Sequence, residues 1–117
     1  TEDFAKMGLF MLQKGRWGKK QLLDEEWLED AMSAQIMQYA GQGHTPAEIA
    51  AMDQNDWNQG YGYQMWMCPE GGCRLDGAWA QLCVLYPEKD LVIAVQAHSD
   101  NTGGILKYIE NRIYRYF

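Results

Sequence analysis

Residues 60–97 read GYGYQMWMCPEGGCRLDGAWAQLCVLYPEKDLVIAVQA, and they carry most of the predicted β-structure. Three runs suit β-strands because they alternate or are continuously apolar: residues 61–67, 81–86 and 91–97. The Gly-Gly tip of residues 68–73 predicts a hairpin turn, and the Pro and Asp of residues 87–90 predict a second. The stretch therefore predicts three short antiparallel strands, the middle one opening on Leu75-Asp76-Gly77-Ala78.

Helix signals precede these strands. Thr1 is a suitable N-cap for a helix that runs to Leu12, and Gly15 is a suitable C-cap. Asp24 predicts the start of a second helix from Glu25 to about Ser33. A third, short helix from Pro46 to Met52 is predicted by Thr-Pro at its start.

A last helix follows the strands, with Asn101 or Thr102 as its cap. Its predicted inner stripe follows helical spacing: Ile105, Ile109 and Ile113, with Tyr108, Arg112 and Tyr116. The order of elements predicts an α+β fold, a three-stranded antiparallel sheet with N-terminal helices and a C-terminal helix packed on it. The whole chain, residues 1–117, is predicted to be a single domain.

Composition excludes several classes of partner. The apolar fraction is 47% and there are five Trp, which predicts a folded chain. The net charge is −6 and the ten basic residues are scattered, so nucleic acid is not an expected partner. No apolar run approaches the roughly 20 residues that span a bilayer, so no membrane span is predicted.

Three cysteines leave alternatives open. Cys68 and Cys73 flank a predicted hairpin, so reduced thiols and a disulfide both fit the spacing. Two thiols without a nearby His are too few for a structural zinc site, and no cofactor is expected. The odd third residue, Cys83, favours a reducing compartment such as the cytoplasm, while a periplasmic or extracellular location stays open for a longer parent protein.

Several segments in order resemble one enzyme family. They are Asp3 to Leu12, Gly15-Arg16-Trp17, Gln21-Leu22-Leu23, Glu26-Trp27-Leu28, Gly60-Tyr61-Gly62-Tyr63 with Trp66, Leu75-Asp76-Gly77-Ala78 through Gln81, and Pro87-Glu88-Lys89-Asp90-Leu91-Val92. Together they resemble the C-terminal portion of serine β-lactamases and penicillin-binding-protein-like hydrolases, close to class C enzymes and related esterases. The resemblance implies that residues 1–117 are the C-terminal part of a longer β-lactamase-like domain.

The family's chemistry needs three motifs, and this chain lacks two of them. Neither of its two serines, Ser33 and Ser99, begins a Ser-x-x-Lys motif, and no tyrosine begins a Tyr-x-Asn triplet. In the third motif Gly77 matches the motif glycine, whereas Leu75 replaces Lys or His and Asp76 replaces Thr or Ser. The resemblance places an oxyanion-hole N–H on Ala78, a role that does not depend on the side chain.

Site residues follow from that partial match. Ala78, Gly77 and Asp76 are the candidate catalytic positions, and Leu75, Trp79 and Tyr61 are the candidate substrate-binding positions. Asp76 fits either an acid–base or substrate-orienting role or a strand-edge carboxylate bonded to a turn amide. The aromatic residues fit either a ligand cleft or the core. His98-Ser99-Asp100 is not expected to form a catalytic relay, since neighbours on a strand end point apart.

The predicted function is ester or amide hydrolysis through an acyl-serine in the full-length parent, with the present chain lacking the nucleophile and inactive alone. The alternative is a non-catalytic module that binds a ligand or interacts with another protein. The expected partner of the parent is a small ester, amide or peptide-like substrate. An exposed sheet edge also predicts a homodimer.

Overall fold

The computed structural model describes residues 1–38, 43–45, 47–48 and 56–117. Its helices are α1 (Glu2–Leu12), α2 (Glu25–Ala31) and α3 (Thr102–Arg112), and its strands are β1 (Arg16–Trp17), β2 (Lys20–Gln21), β3 (Trp66–Met67), β4 (Cys73–Gly77), β5 (Gln81–Tyr86) and β6 (Leu91–Gln96). Short 3₁₀ turns occupy Pro87–Lys89 and Tyr114–Tyr116. The predicted helix from Pro46 to Met52 lies mostly outside the described residues. The fold is α+β, as predicted.

The main sheet has four strands, so the prediction of three was wrong. Its order is β3-β4-β5-β6, and each neighbouring pair is antiparallel. The predicted middle strand is two strands, because the chain reverses between Gly77 and Gln81, which pair with each other. The turn residues Ala78, Trp79 and Ala80 include no Gly, Pro or Asn, the residues that usually mark a turn. No local sequence pattern therefore predicted that the chain reverses here.

Helices cover both faces of this sheet. On one face α1 and α2 pack over a core formed by Met11, Leu28, Ala31, Met65, Met67, Cys73, Cys83 and Leu85. On the other face α3 packs over Cys68, Ala80, Leu82, Val84, Tyr86, Leu106 and Ile109. Strand β5 lies between the two layers and its residues Leu82–Tyr86 are all buried, which explains why this run is continuously apolar.

The predicted helix caps and the predicted inner stripe of α3 are confirmed only in part. Thr1 precedes α1 but makes no capping bond; its hydroxyl instead donates to Gln96 Oε1 at 2.5 Å, beside the end of β6. Asn101 does cap α3, accepting from the Gly104 N–H at 3.0 Å. The inner stripe of α3 was wrong in part: Leu106 and Ile109 are buried, whereas Tyr108 and Tyr116 are 63% and 79% exposed.

The three cysteines are free and buried. Cys68 belongs to the core beneath α3, whereas Cys73 belongs to the core beneath α1, so the sheet separates the two thiols. The hairpin disulfide is thus not formed. Burial raises the pKa of Cys68 and Cys83 to about 11 and that of Cys73 to about 12, so the thiols are protonated at neutral pH.

Within the described residues, no helix has both the length and the apolar character that crossing a membrane would require.

Candidate functional site

The turn between β4 and β5 holds two consecutive non-glycine residues in the left-handed region. The φ angles of Trp79 and Ala80 are 64° and 65°. A left-handed conformation costs an L-residue roughly 1–2 kcal/mol, so the surrounding structure must hold this turn in place. The turn lies directly after Gly77, where the resemblance places the third catalytic motif. Ala78, the predicted oxyanion-hole donor, is exposed at its tip.

The end of β6 holds the turn. The Trp79 indole stacks on the His98 imidazole, with ring centroids 5.0 Å apart and an interplanar angle of 13°. The Ser99 N–H donates to the Trp79 carbonyl at 3.2 Å, and the Gln81 side-chain amide donates to the Ala97 carbonyl. His98 and Ser99, part of the His98-Ser99-Asp100 run in which no catalytic relay was expected, therefore contact the candidate site directly.

Asp76 is paired with a buried arginine. Its carboxylate accepts a hydrogen bond from Arg74 Nε at 3.0 Å, and the side chains of Arg74 and Asp76 are 0% and 11% exposed. Residues two apart on a strand share a face of the sheet, which brings these two groups together. The expected turn-amide partner is thus replaced by a guanidinium. Because the positive charge balances it, Asp76 does not present the free negative charge that would repel an anionic substrate.

The guanidinium of Arg74 is itself fixed on several sides. Its Nη1 donates to the carbonyls of Asp56 at 3.0 Å and Met67 at 3.2 Å. The Trp57 and Trp66 rings lie over it, with centroids 5.4 and 5.9 Å from Cζ. Burying a charge this completely is costly unless it is paired; the bonds from Nε and Nη1 supply most of the pairing, while Nη2 has no partner within the described residues. The Arg74 side chain therefore has a structural role, because it contacts several residues beneath the candidate site.

The predicted substrate-binding residues do not lie together. Tyr61 packs edge-on against Trp66 at 5.0 Å, and both line a shallow groove of about 300 Å³ with Ile36, Met37 and Gln38. Leu75 lies on the opposite face of the sheet from Asp76, since neighbours on a strand alternate. It lines an apolar cavity of about 220 Å³ with Met7, Phe10, Met11, Leu23, Trp27, Leu28 and Met65.

The Gly60-Tyr61-Gly62-Tyr63 segment is fastened to the end of α2. The Tyr63 N–H donates to the Ala31 carbonyl at 3.0 Å. A Cβ on Gly62 would lie 2.2 Å from that same carbonyl oxygen, so only glycine fits this close approach. Close packing against the Ala31 carbonyl is thus enough to require glycine at position 62, whether or not the residue has a catalytic role.

A group of acidic side chains near α3 was missed by sequence reasoning. Asp56 is 4% exposed, and the Glu110 carboxyl of α3 lies within hydrogen-bonding reach of it. Burial, followed by that hydrogen bond and the charges of Asp56 and Glu70, raises the pKa of Glu110 to about 7. These residues are distant in sequence and follow no motif, so no local pattern could have grouped them.

No metal site competes for these groups in the described part of the chain. Among residues 1–38, 43–45, 47–48 and 56–117, no three His, Cys, Asp or Glu side chains are arranged to hold an ion.

No protein-family model matches the chain, and no curated protein matches it significantly.

Proposed function

We propose that this chain is the C-terminal part of a β-lactamase-related serine hydrolase that cleaves an ester or amide through an acyl-serine. The β4–β5 turn would form one wall of the active site, with the Ala78 N–H as an oxyanion-hole donor. The nucleophile and its base would come from outside these 117 residues, since no Ser-x-x-Lys motif occurs in them. Alone, the chain would not turn over substrate.

The strained turn is the observation that carries this proposal. Left-handed non-glycine residues cost free energy and cluster at functional sites, where the backbone must present a group in a fixed direction. Trp79 and Ala80 adopt this conformation one and two residues after Ala78. A turn with only a structural role could relieve the strain by placing Gly at either position, and this sequence does not.

The charges around the turn favour a substrate that has no carboxylate group, because no exposed cation is placed to bind one. Leu75 stands where the family has a cation, and it lies on the α1 face of the sheet. Arg74 is the nearest cation along the strand, but it is fully buried and already bonded to Asp76. The proposed substrate is therefore a neutral ester or amide, for which the Trp79–His98 stack would provide an apolar wall.

A fluorophosphonate probe, which reacts with activated serines, tests the proposal on the protein as its own cells make it. We expect an intact mass above 13.5 kDa and labelling of a serine that precedes Thr1. The isolated 117-residue chain should not label or hydrolyse p-nitrophenyl acetate faster than its urea-unfolded form. A native product of 13.5 kDa that never labels would overturn the proposal.

A non-catalytic binding module is the second candidate, and one observation favours it. The cavity between α1, α2 and the sheet has an entirely apolar lining, and Met7 and Trp27 at its rim are 51% and 49% exposed. An apolar cleft with half-exposed aromatic and Met side chains is typical of ligand or peptide binding. Under this reading the native product would be short and would not label.

The open edge of β6 supports the proposed homodimer. Among the described residues this strand ends the sheet, and its six residues, LVIAVQ, contain no charge or Pro to block pairing with another strand. We expect light scattering at high concentration to give about 27 kDa, twice the 13.5 kDa of one chain. A lysine at the centre of the edge, Ala94→Lys, should restore the monomer, whereas the turn variant Glu88→Lys should not. A monodisperse wild-type monomer would contradict this prediction.

A further inference from the structure

Trp79 is exposed, although its backbone conformation disfavours a bulky side chain. Its φ angle is 64°, and 54% of its surface is accessible to solvent. Among the described residues it belongs to neither of the two cores, whereas its neighbour Ala80 is fully buried in the core beneath α3. Glycine at position 79 would relieve the strain without removing a contact from either core. Core packing therefore does not explain why this position carries an indole.

Contacts with the segment after β6 fix the orientation of this indole. The His98 imidazole stacks on one face of it, nearly parallel at 5.0 Å between ring centroids. The Trp79 carbonyl accepts from the Ser99 N–H at 3.2 Å, and Ser99 Oγ accepts from the N–H of Asn101, the residue that caps α3. The turn is thus connected through residues 98–101 to the start of a helix. A ring that is already held in place loses little conformational entropy when a ligand packs on it.

The face of the indole opposite His98 is the one that a ligand can reach. Residues 77–81, GAWAQ, contain no charge, so the turn offers no partner to a charged ligand. A sugar ring would need free polar groups around it, but the Gln81 amide donates to the Ala97 carbonyl and Ser99 Oγ already accepts a backbone N–H. An aromatic ring needs no such groups, because offset or edge-on packing against the indole is enough. The chemistry of the turn therefore favours an uncharged aromatic ring.

The indole is next to the proposed oxyanion-hole donor. Ala78 and Trp79 are consecutive and both exposed, and consecutive Cα atoms lie about 3.8 Å apart. An ester or amide carbonyl that accepts from the Ala78 N–H would therefore place a ring bonded directly to that group beside the indole. A longer spacer between carbonyl and ring is not needed to reach it.

We propose that Trp79 stacks on an uncharged aromatic ring joined directly to the ester or amide group of the substrate, and that His98 is the positioning residue that holds the indole for it. The substrate class is then aryl esters or anilides. This inference rests on the proposed function for the reaction itself, whereas binding of the ring requires only residues of the present chain.

Binding to the 117-residue chain tests the stack without any catalysis. Acetanilide is an uncharged aryl amide, and N-cyclohexylacetamide carries the same amide on a saturated ring of the same size. An NMR titration that follows the Trp79 indole N–H and the Ala78 backbone N–H should give roughly two- to tenfold tighter binding of acetanilide, since only its ring is aromatic. Equal affinities for the two amides, or shifts that leave both signals unchanged, would overturn the proposal. No substitution is required, so the result does not depend on a variant that folds.

Variants separate the stacking role from the positioning role. Trp79→Ala should remove the preference for acetanilide. His98→Ala should weaken acetanilide binding about threefold because the indole is no longer held, and His98→Phe should restore it because a flat ring returns. Trp27→Ala is the matched control and should bind as wild type does, since Trp27 is 49% exposed but lines the apolar cavity beside α1. A preference that survives Trp79→Ala, or is lost in Trp27→Ala, would place the ring elsewhere and refute the proposal.

Kinetics of the parent protein distinguish failure of this inference from failure of the proposed function. In a parent that the fluorophosphonate probe labels, Trp79→Ala should raise KM for phenyl acetate about threefold more than KM for cyclohexyl acetate. Equal increases for the two esters would refute the inference and leave the hydrolase standing. A parent that never labels would refute the hydrolase, and the acetanilide titration would then decide the ring site by itself.

Discussion

Replacing Arg74 by Met (R74M) is expected to lower the free energy of unfolding by about 3–5 kcal/mol. The side chain is 0% exposed, and its loss leaves the 11%-exposed Asp76 carboxylate without a counter-charge. The carbonyls of Asp56 and Met67 lose a donor in the same step. Because small domains are stabilised by only about 5–15 kcal/mol, R74M should be close to unfolding at room temperature. Urea denaturation followed by Trp fluorescence would measure the loss.

A double variant separates the lost charge pair from the lost packing. Removing both partners in R74M/D76L leaves no uncompensated charge at this position, so we expect it to recover a large part of the stability. The exposed Arg112 provides the control, since R112M should change stability by less than about 0.5 kcal/mol. A loss below about 1 kcal/mol for R74M would show that the buried pair is not needed for the fold.

Replacing Gly8 by Ala (G8A) is expected to destabilise the chain by about 2–3 kcal/mol. An added Cβ would lie 2.5 Å from Cys83 Sγ and 2.7 Å from Val92 Cγ1, so α1 would have to move away from β5 and β6. The direction of this change in stability is informative, because replacing Gly by Ala inside a helix ordinarily raises the free energy of unfolding by about 1 kcal/mol. Thermal unfolding followed by far-UV circular dichroism would measure the change.

Gly103 is the matched control for this helix substitution. Within the described residues, a Cβ added there would meet only the Trp57 ring, at an ordinary contact distance of 3.5 Å. G103A should therefore leave stability unchanged or raise it slightly. If G8A raised Tm as G103A does, α1 would not be held against the sheet as closely as the structure places it.

Regular patterns allowed much of the architecture to be predicted from local sequence. The apolar runs of β5 and β6, the Pro-containing turn between them, and the caps Asp24 and Asn101 all occur where predicted. In each case the information lies within a few neighbouring residues: side-chain alternation, fixed backbone angles of Pro, or a polar side chain that accepts a backbone N–H. The same patterns gave the α+β class.

The candidate site was harder to predict, because its geometry arises from residues far apart in the chain. Gly77, Ala78 and Trp79 were singled out, but the reversal at Ala78–Ala80 was not foreseen, since contacts with His98 and Ser99 hold its left-handed residues in place. Leu75 was placed in the same site as Asp76, but as neighbours on β4 the two side chains lie on opposite faces of the sheet.

Charge pairing shows the same division between local and long-range information. From sequence, Asp76 fitted either an acid–base or substrate-orienting role or a bond to a turn amide, because the strand boundaries did not yet place Arg74 on its face. The partnership of Asp56 with Glu110 required α3 to pack back over the sheet, 54 residues further along the chain. Backbone conformation follows local chemistry, whereas burial and electrostatic partners depend on which surfaces meet, so only the folded chain could reveal them.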